Sequence, residues 1–140
     1  MIKYPAKVIY SKSDKCYLVE FLDLPGCVTY GETLDEAKKN ANEALTGYLE
    51  SIDLRKIKIP VPSNRKGKNI YYIGPEKRVA FALWLKMKRI EQGLTQKDMA
   101  KRLNINFQSY QKYENPRKTN PTLKTILKVE SILKDHVLTV

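Results

Sequence analysis

Two hydrophobic rhythms divide the chain. The first is short and strand-like: "YPAKVIYS" and then "CYLVEFLDLPGCVTYGET" set apolar runs between turn residues. Residues 4–10 and 16–22 have strand composition, and the polar stretch Lys12 to Lys15 predicts a hairpin between them. Pro25-Gly26 punctuates before a third strand at 27–30, and Gly31 ends the sheet run. The spacing then becomes helical. Leu34, Ala37, Ala41, Ala44, Leu45, Tyr48, Leu49 and Ile52 form one apolar face. Thr33 with Glu36 three residues later is a capping box that opens this helix. Three strands and one helix bury a single sheet face, which leaves the other face or an edge for a partner.

The segment "KIKIPVPSNRKGKN" is a turn-rich connection, and "NIYYIG", Asn69 to Gly74, predicts one more strand returning to the sheet. Everything beyond Gly74-Pro75 follows the helical period, so the expected domains are 1–74 and 75–140. Four helical segments are expected in the second. They are "EKRVAFALWLKMKRIEQG", ended by Gly93; "TQKDMAKRL", opened by Thr95 with Asp98; one within "NINFQSYQKYEN"; and "PTLKTILKVESIL", with Pro121 at an early helical position. The tail "DHVLTV" is β-branched and reads as a small strand or a frayed end.

Charge sharpens this division. Residues 1–59 hold nine Lys/Arg and nine Asp/Glu, whereas residues 60–140 hold seventeen and six, which accounts for the whole net charge of +11. A neutral module joined to a strongly basic one implies that only the second meets a polyanion. No run of eighteen apolar residues and no leader pattern occurs, so a soluble cytoplasmic protein is expected. Cys16 and Cys27 lie in apolar stretches without metal-ligand spacing; plain buried thiols are expected, with no metal and no cofactor.

The stretch "GLTQKDMAKRLNINFQSYQKYENP" places two short helices around a turn at Asn104-Ile105-Asn106. Packed against a longer first helix, such a pair lays one helix in a major groove. Met99, Leu103, Ile105, Tyr110 and Tyr113 supply inward positions, while Gln96, Asn106, Gln108, Ser109, Gln111 and Lys112 stay polar at the ends or outside. Gln and Asn pair with adenine, Lys reaches guanine or phosphate, and Ser bonds to bases or backbone. Thr95 and Gln96, at a helix start, are placed to hold a phosphate with free amides.

Residues 79–133 resemble the phage-repressor/Xre type of helix-turn-helix, through "LTQKDMAKRL", the short turn, "QSYQKYE" and "PTLKTILKV". The resemblance implies base reading by Asn106, Phe107, Gln108, Gln111 and Lys112. It also implies phosphate holding by Gln96 and a bracing role for Glu114. Phe107 departs from the pattern, standing where many members carry a polar reader; it either packs on a thymine methyl or marks altered reading.

The first module carries a second and more specific frame. Phe21, Asp23, Leu24, Pro25, Gly26, Cys27, Thr29, Gly31, Thr33, Glu36, Ala37, Asn40, Ala41, Glu43, Ala44 and Leu45, followed by "IPVPS", resemble the HicB family, antitoxin partners of HicA toxins. The resemblance implies a degenerate ribonuclease-H-like α/β unit, here followed by an all-α helix-turn-helix bundle. A nuclease of that type needs clustered carboxylates for divalent ions. Asp14, Glu20, Asp23, Glu32 and Asp35 are available, but Asp23 sits in a turn and Asp35 and Glu36 in a first helical turn, where acids stabilise the helix end. The expectation is therefore binding rather than catalysis.

HicA toxins are small basic proteins that cleave mRNA with a catalytic histidine, and the family resemblance implies that this chain covers that site. Asp14, Glu20, Asp23, Glu32, Asp35 and Glu36 are the candidate toxin-facing residues, since an acidic surface steers a basic partner. A palindromic operator calls for a homodimer or higher oligomer, with the sheet edge, Tyr71-Tyr72-Ile73 and the terminal "HVLTV" as candidate interfaces. The alternative is a stand-alone repressor whose first domain dimerises or senses a ligand. A small basic toxin-like reading frame beside the gene separates the two.

Overall fold

A computed structural model describes residues 2–135. It divides into two compact units, Ile2–Glu76 and one beginning at Lys77. The first contains β1 (Tyr4–Ser11), β2 (Cys16–Phe21), β3 (Val28–Gly31), α1 (Leu34–Leu54) and β4 (Ile70–Ile73). The second contains α2 (Lys77–Glu91), α3 (Gln96–Leu103), α4 (Phe107–Tyr113) and α5 (Leu123–Leu133). The terminal "HVLTV" segment lies outside the described residues.

The sheet is antiparallel in the order β3-β2-β1-β4. Its period-2 alternation puts Tyr4, Ala6 and Val8 of β1 and Val19 and Phe21 of β2 on one buried face. Against that face α1 lays Ala37, Ala41, Leu45, Leu49 and Ile52, all buried. Burying Leu45 and Leu49 contributes roughly 1.5–3 kcal/mol each. Thr33 caps α1 by accepting the Glu36 amide, which is one half of the expected capping box.

Two glycines have distinct reasons. Gly26 has φ 83, in the left-handed region that the tight turn after Pro25 requires. Gly31 has no such angle. A Cβ there would lie 2.3 Å from the Ala37 backbone nitrogen, so its role is to let α1 start directly against β3. The edge strand is also held by α1, because the Asn40 side-chain amide donates to the Tyr30 carbonyl at 2.8 Å.

The connection from α1 to β4 lacks regular structure over 57–67 yet is fastened to the sheet. The buried Tyr4 hydroxyl donates to the Pro60 carbonyl at 2.6 Å. Both oxygens of Asp23 accept from Ser63, one from its amide at 2.8 Å and one from its hydroxyl at 2.7 Å. The Tyr72 hydroxyl donates to the Ser63 carbonyl and accepts from the Arg65 amide.

In the helical unit α2 buries every residue from Val79 to Leu85. It stops at Gly93, φ 72, where the Leu94 amide reaches back to the Arg89 carbonyl. α5 begins two residues later than its proline signal indicates. Thr122 is the cap, accepting the Thr125 amide through its hydroxyl, so Pro121 precedes the cap instead of occupying the first turn.

Replacing Gly31 with Ala is expected to destabilise the sheet unit by about 1–3 kcal/mol, because backbone rather than a flexible side chain blocks the new methyl. Urea unfolding of the full chain measures this, and an unchanged midpoint contradicts the close approach.

Candidate nucleic-acid interface and open sheet face

The two short helices are built by reciprocal local hydrogen bonds. Thr95 accepts the Asp98 amide at 3.0 Å while the Asp98 carboxylate accepts the Thr95 amide at 2.8 Å, a complete capping box for α3. The Asp98 carboxyl is held below the usual carboxylate range, chiefly by the Thr95 amide. That contribution is present above the ordinary carboxylate pKa and lost as pH falls through the lowered one. Thr95 therefore commits its own amide to the cap, and the chain's own Asp98 sits where an anion would. The first-turn amides of Gln96 and Lys97 are the ones a helix start leaves over.

α3 ends in Asn104, which adopts the left-handed conformation at φ 57, ψ 44. Asn106 then caps α4, its side-chain oxygen accepting the Ser109 amide at 2.8 Å. Asn thus makes both corners of the turn, one by tolerating positive φ and one by capping. Met99, Leu103 and Tyr110 are buried, and Ile105 and Tyr113 are partly buried. Asn106, Gln108, Ser109, Gln111 and Lys112 are exposed together on and beside α4. Phe107 is partly buried, with the Lys97 ammonium 5.8 Å from its ring centroid.

Behind this surface lies a buried polar network. Glu114, 5% exposed, receives Arg89 on both oxygens, at 2.6 Å from Nε and 3.1 Å from Nη2. It also receives the Tyr110 hydroxyl and, at 3.2 Å, the Gln96 amide. Gln96 in turn accepts from Gln111 at 3.4 Å. The hydrogen bond to Glu114 raises the Arg89 pKa, and burial followed by the Glu114 charge raises that of the Tyr110 phenol. One carboxylate thus ties α2, α3 and α4 together and reaches the exposed face through two glutamines. Glu114 as a brace was legible in the sequence; its partner Arg89, and the bond from Gln96 to it, were not.

The sheet unit presents a second surface. Opposite α1, β-register aligns Ile9, Leu18 and Tyr30 across three strands, with Val28 and Tyr72 beside them, all substantially exposed. Lys7 and Glu20 face each other in the adjacent row, in register with Val28. The strand composition of β1 and β2 marks the strands without revealing that both faces are apolar.

The six acidic candidates do not form one cluster. Gly31 pairs with Tyr17, so Glu32, Asp35 and Glu36 stand at the same end of the sheet as the hairpin that carries Asp14. Asp14 is exposed and bonded to Ser11 at 3.0 Å. Glu20 lies on the open face, and Asp23, partly buried, is committed to Ser63 near the opposite end. Among the described residues no three His, Cys, Asp or Glu side chains converge to hold a metal, and no helix is long and apolar enough to cross a membrane. Cys16 and Cys27 are buried free thiols, and burial pushes the Cys27 thiol up to about 11.

Comparison with known proteins agrees with this division. Residues 3–73 match the model of the HicB-like antitoxin of bacterial toxin-antitoxin systems, and residues 85–134 match a helix-turn-helix model. A UPF0150 protein of Thermoplasma acidophilum is 42% identical over 53 residues, which is 38% of this chain and 77% of that protein. Among solved structures, the N-terminal domain of Burkholderia pseudomallei antitoxin HicB aligns at 22% identity and TM-score 0.46, over 54% of this chain and 99% of that one. A HicA3 and HicB3 toxin-antitoxin complex aligns at 20% identity and TM-score 0.41, over the same 54% and 99%.

Replacing Arg89 with Ala strands the Glu114 carboxylate and is expected to cost about 3–5 kcal/mol. Pairing Arg89→Met with Glu114→Leu removes both charges and is expected to recover most of that loss in chemical denaturation. A double variant as unstable as Arg89→Ala contradicts the assignment of the cost to an unpaired buried charge.

Proposed function

The chain belongs to the HicB-like antitoxin family, and from that premise we propose that residues 1–74 hold a HicA-like mRNA-cleaving toxin silent while residues 75–140 bind operator DNA and repress the chain's own operon. The family match over residues 3–73 carries the reading. The segregation of charge supports it, since residues 1–59 balance nine cations with nine acids, which suits a basic protein partner, while the helical unit is strongly basic, which suits DNA. Steering of the toxin falls to Glu32, Asp35 and Glu36 with Asp14, and Glu20 meets it on the open face. Asp23 contributes by holding the connection in place.

On α4, Gln108, Ser109, Gln111 and Lys112 read the major groove, with Asn106 and Phe107 at its start. Gln96 works from behind, fixing Gln111. Thr95 shapes the start of α3, where the amides of Gln96 and Lys97 meet phosphate. A single helix-turn-helix reads one half-site, so the DNA-bound form is a homodimer. Exposed Leu123 and Leu127, one turn apart on α5, form an apolar stripe that supports self-association of the helical unit; in the sheet unit, the sheet edge and Tyr72 are the candidates.

The product of a small basic reading frame adjacent to the gene is expected to co-purify with this chain and to lose mRNA cleavage in the complex. Failure of both binding and inhibition contradicts the antitoxin reading. Gln108→Ala with Gln111→Ala is expected to weaken operator binding by about 1–3 kcal/mol for each base pairing removed, and to leave inhibition intact. Band-shift titration on the upstream region reads this, and an unchanged affinity means that another surface reads the DNA. Reversing Glu32 and Glu36 to Lys is expected to slow toxin association most at low salt, as stopped-flow binding would record.

A further inference from the structure

Segment 55–68, between α1 and β4, carries Arg55, Lys56, Lys58, Arg65, Lys66 and Lys68 and no acidic residue. All six cations are exposed. Lys56, Lys58, Arg65, Lys66 and Lys68 form no ion pair among the described residues. The backbone bearing them is nonetheless fixed. Ile59 is buried, Pro60 is held by Tyr4, Ser63 by Asp23, and the Ser63–Arg65 stretch by the Tyr72 hydroxyl. Like charges crowded on a fastened strap repel one another, and an external polyanion would relieve that repulsion.

We propose that this strap is a second, sequence-independent DNA-contacting surface, gripping phosphates of the duplex that α4 reads. The inference rests on the DNA-binding reading of residues 75–140 and adds the first unit to the DNA footprint. The chemistry favours duplex phosphate over other polyanions. Residues 55–69 contain no Phe, Tyr or Trp, so the strap offers no platform on which unpaired bases stack. Six lysines and arginines against a single amide, Asn64, within residues 55–68 favour positioning contacts to the backbone over base reading. Leu54, Ile57 and Val61 are exposed among the cations, as at a bilayer surface. An interfacial anchor, however, needs an amphipathic helix, and residues 57–67 have no regular structure and two prolines. Because the strap is tethered to the helix-turn-helix, its binding to the same duplex is intramolecular and gains from a raised effective concentration.

The test is the salt dependence of binding by the full chain to a random-sequence duplex, read by fluorescence anisotropy. Arg65→Gln, Lys66→Gln and Lys68→Gln together keep Ser63 and Tyr72, and melting curves check the fold. The slope of log K against log salt is expected to become shallower by about 2–3, since each phosphate no longer neutralised removes about 0.9. Gln108→Ala with Gln111→Ala is expected to retain the wild-type slope on this duplex. An unchanged slope in the strap variant overturns the inference and leaves the DNA reading of α4 standing. A wild-type chain that binds no duplex removes that reading and the inference with it. Strap-dependent binding to phosphatidylcholine–phosphatidylserine vesicles, with an unchanged DNA slope, assigns the strap to a membrane and also overturns it. Should the triple variant fail to fold, Lys56→Gln with Lys58→Gln carries the same test, with an expected change of about 2.

Discussion

A carboxylate withdrawn from water must be given donors, and in each unit one such carboxylate organises what surrounds it. Glu114 collects Arg89, Tyr110 and Gln96, and so sets α4 against α2 and α3. Asp23 collects the amide and hydroxyl of Ser63, and so sets the α1–β4 connection against the sheet. Seven-residue α4 buries only Tyr110 of its own, so its orientation draws on the polar anchor at Glu114 as well as on packing. The anchors also specify geometry, because a bidentate guanidinium–carboxylate pair tolerates little rotation.

The same logic joins packing to function. Gln111 stands on the exposed face of α4, yet it bonds to Gln96, which bonds to the buried Glu114. A side chain held in this way loses less rotamer freedom on binding than a free one. In the sheet unit, the motif residues between Phe21 and Leu45 are largely structural. Gly26 turns the chain, Gly31 admits the helix, and Asn40 fastens the edge strand. What remains for a partner is the face they leave open, where Ile9, Leu18 and Tyr30 form a continuous row beside the row of Lys7, Glu20 and Val28.

Much of this was legible in the sequence wherever one local rule acted alone. The apolar period of α1, the hairpin at Lys12 to Lys15, and the cap signals at Thr33 and Thr95 each depend on neighbours within a few positions. What escaped depends on contacts distant along the chain. Asp23 looked like a surface acid until Ser63, 40 residues away, was seen to hold it. Arg89 had no marking among many cations, and its pairing spans 25 residues. An open sheet face or edge was expected, but its apolar make-up was not: Ile9 and Leu18 have core chemistry, and strand composition does not say which face a helix covers. At α5 two local signals competed. Pro121 was read as the start, whereas the Thr122 hydroxyl makes the cap.

In the proposed function one chain offers two separate surfaces to two unlike partners. Hydrogen–deuterium exchange of the full chain, alone and with each partner, tests it directly. With the toxin, new protection is expected only within the sheet unit, Ile2–Glu76. With the upstream duplex, protection is expected over α3 and α4, Gln96–Tyr113, and over the 55–68 strap. Toxin-induced protection centred on α4, or none in the sheet unit, would contradict it.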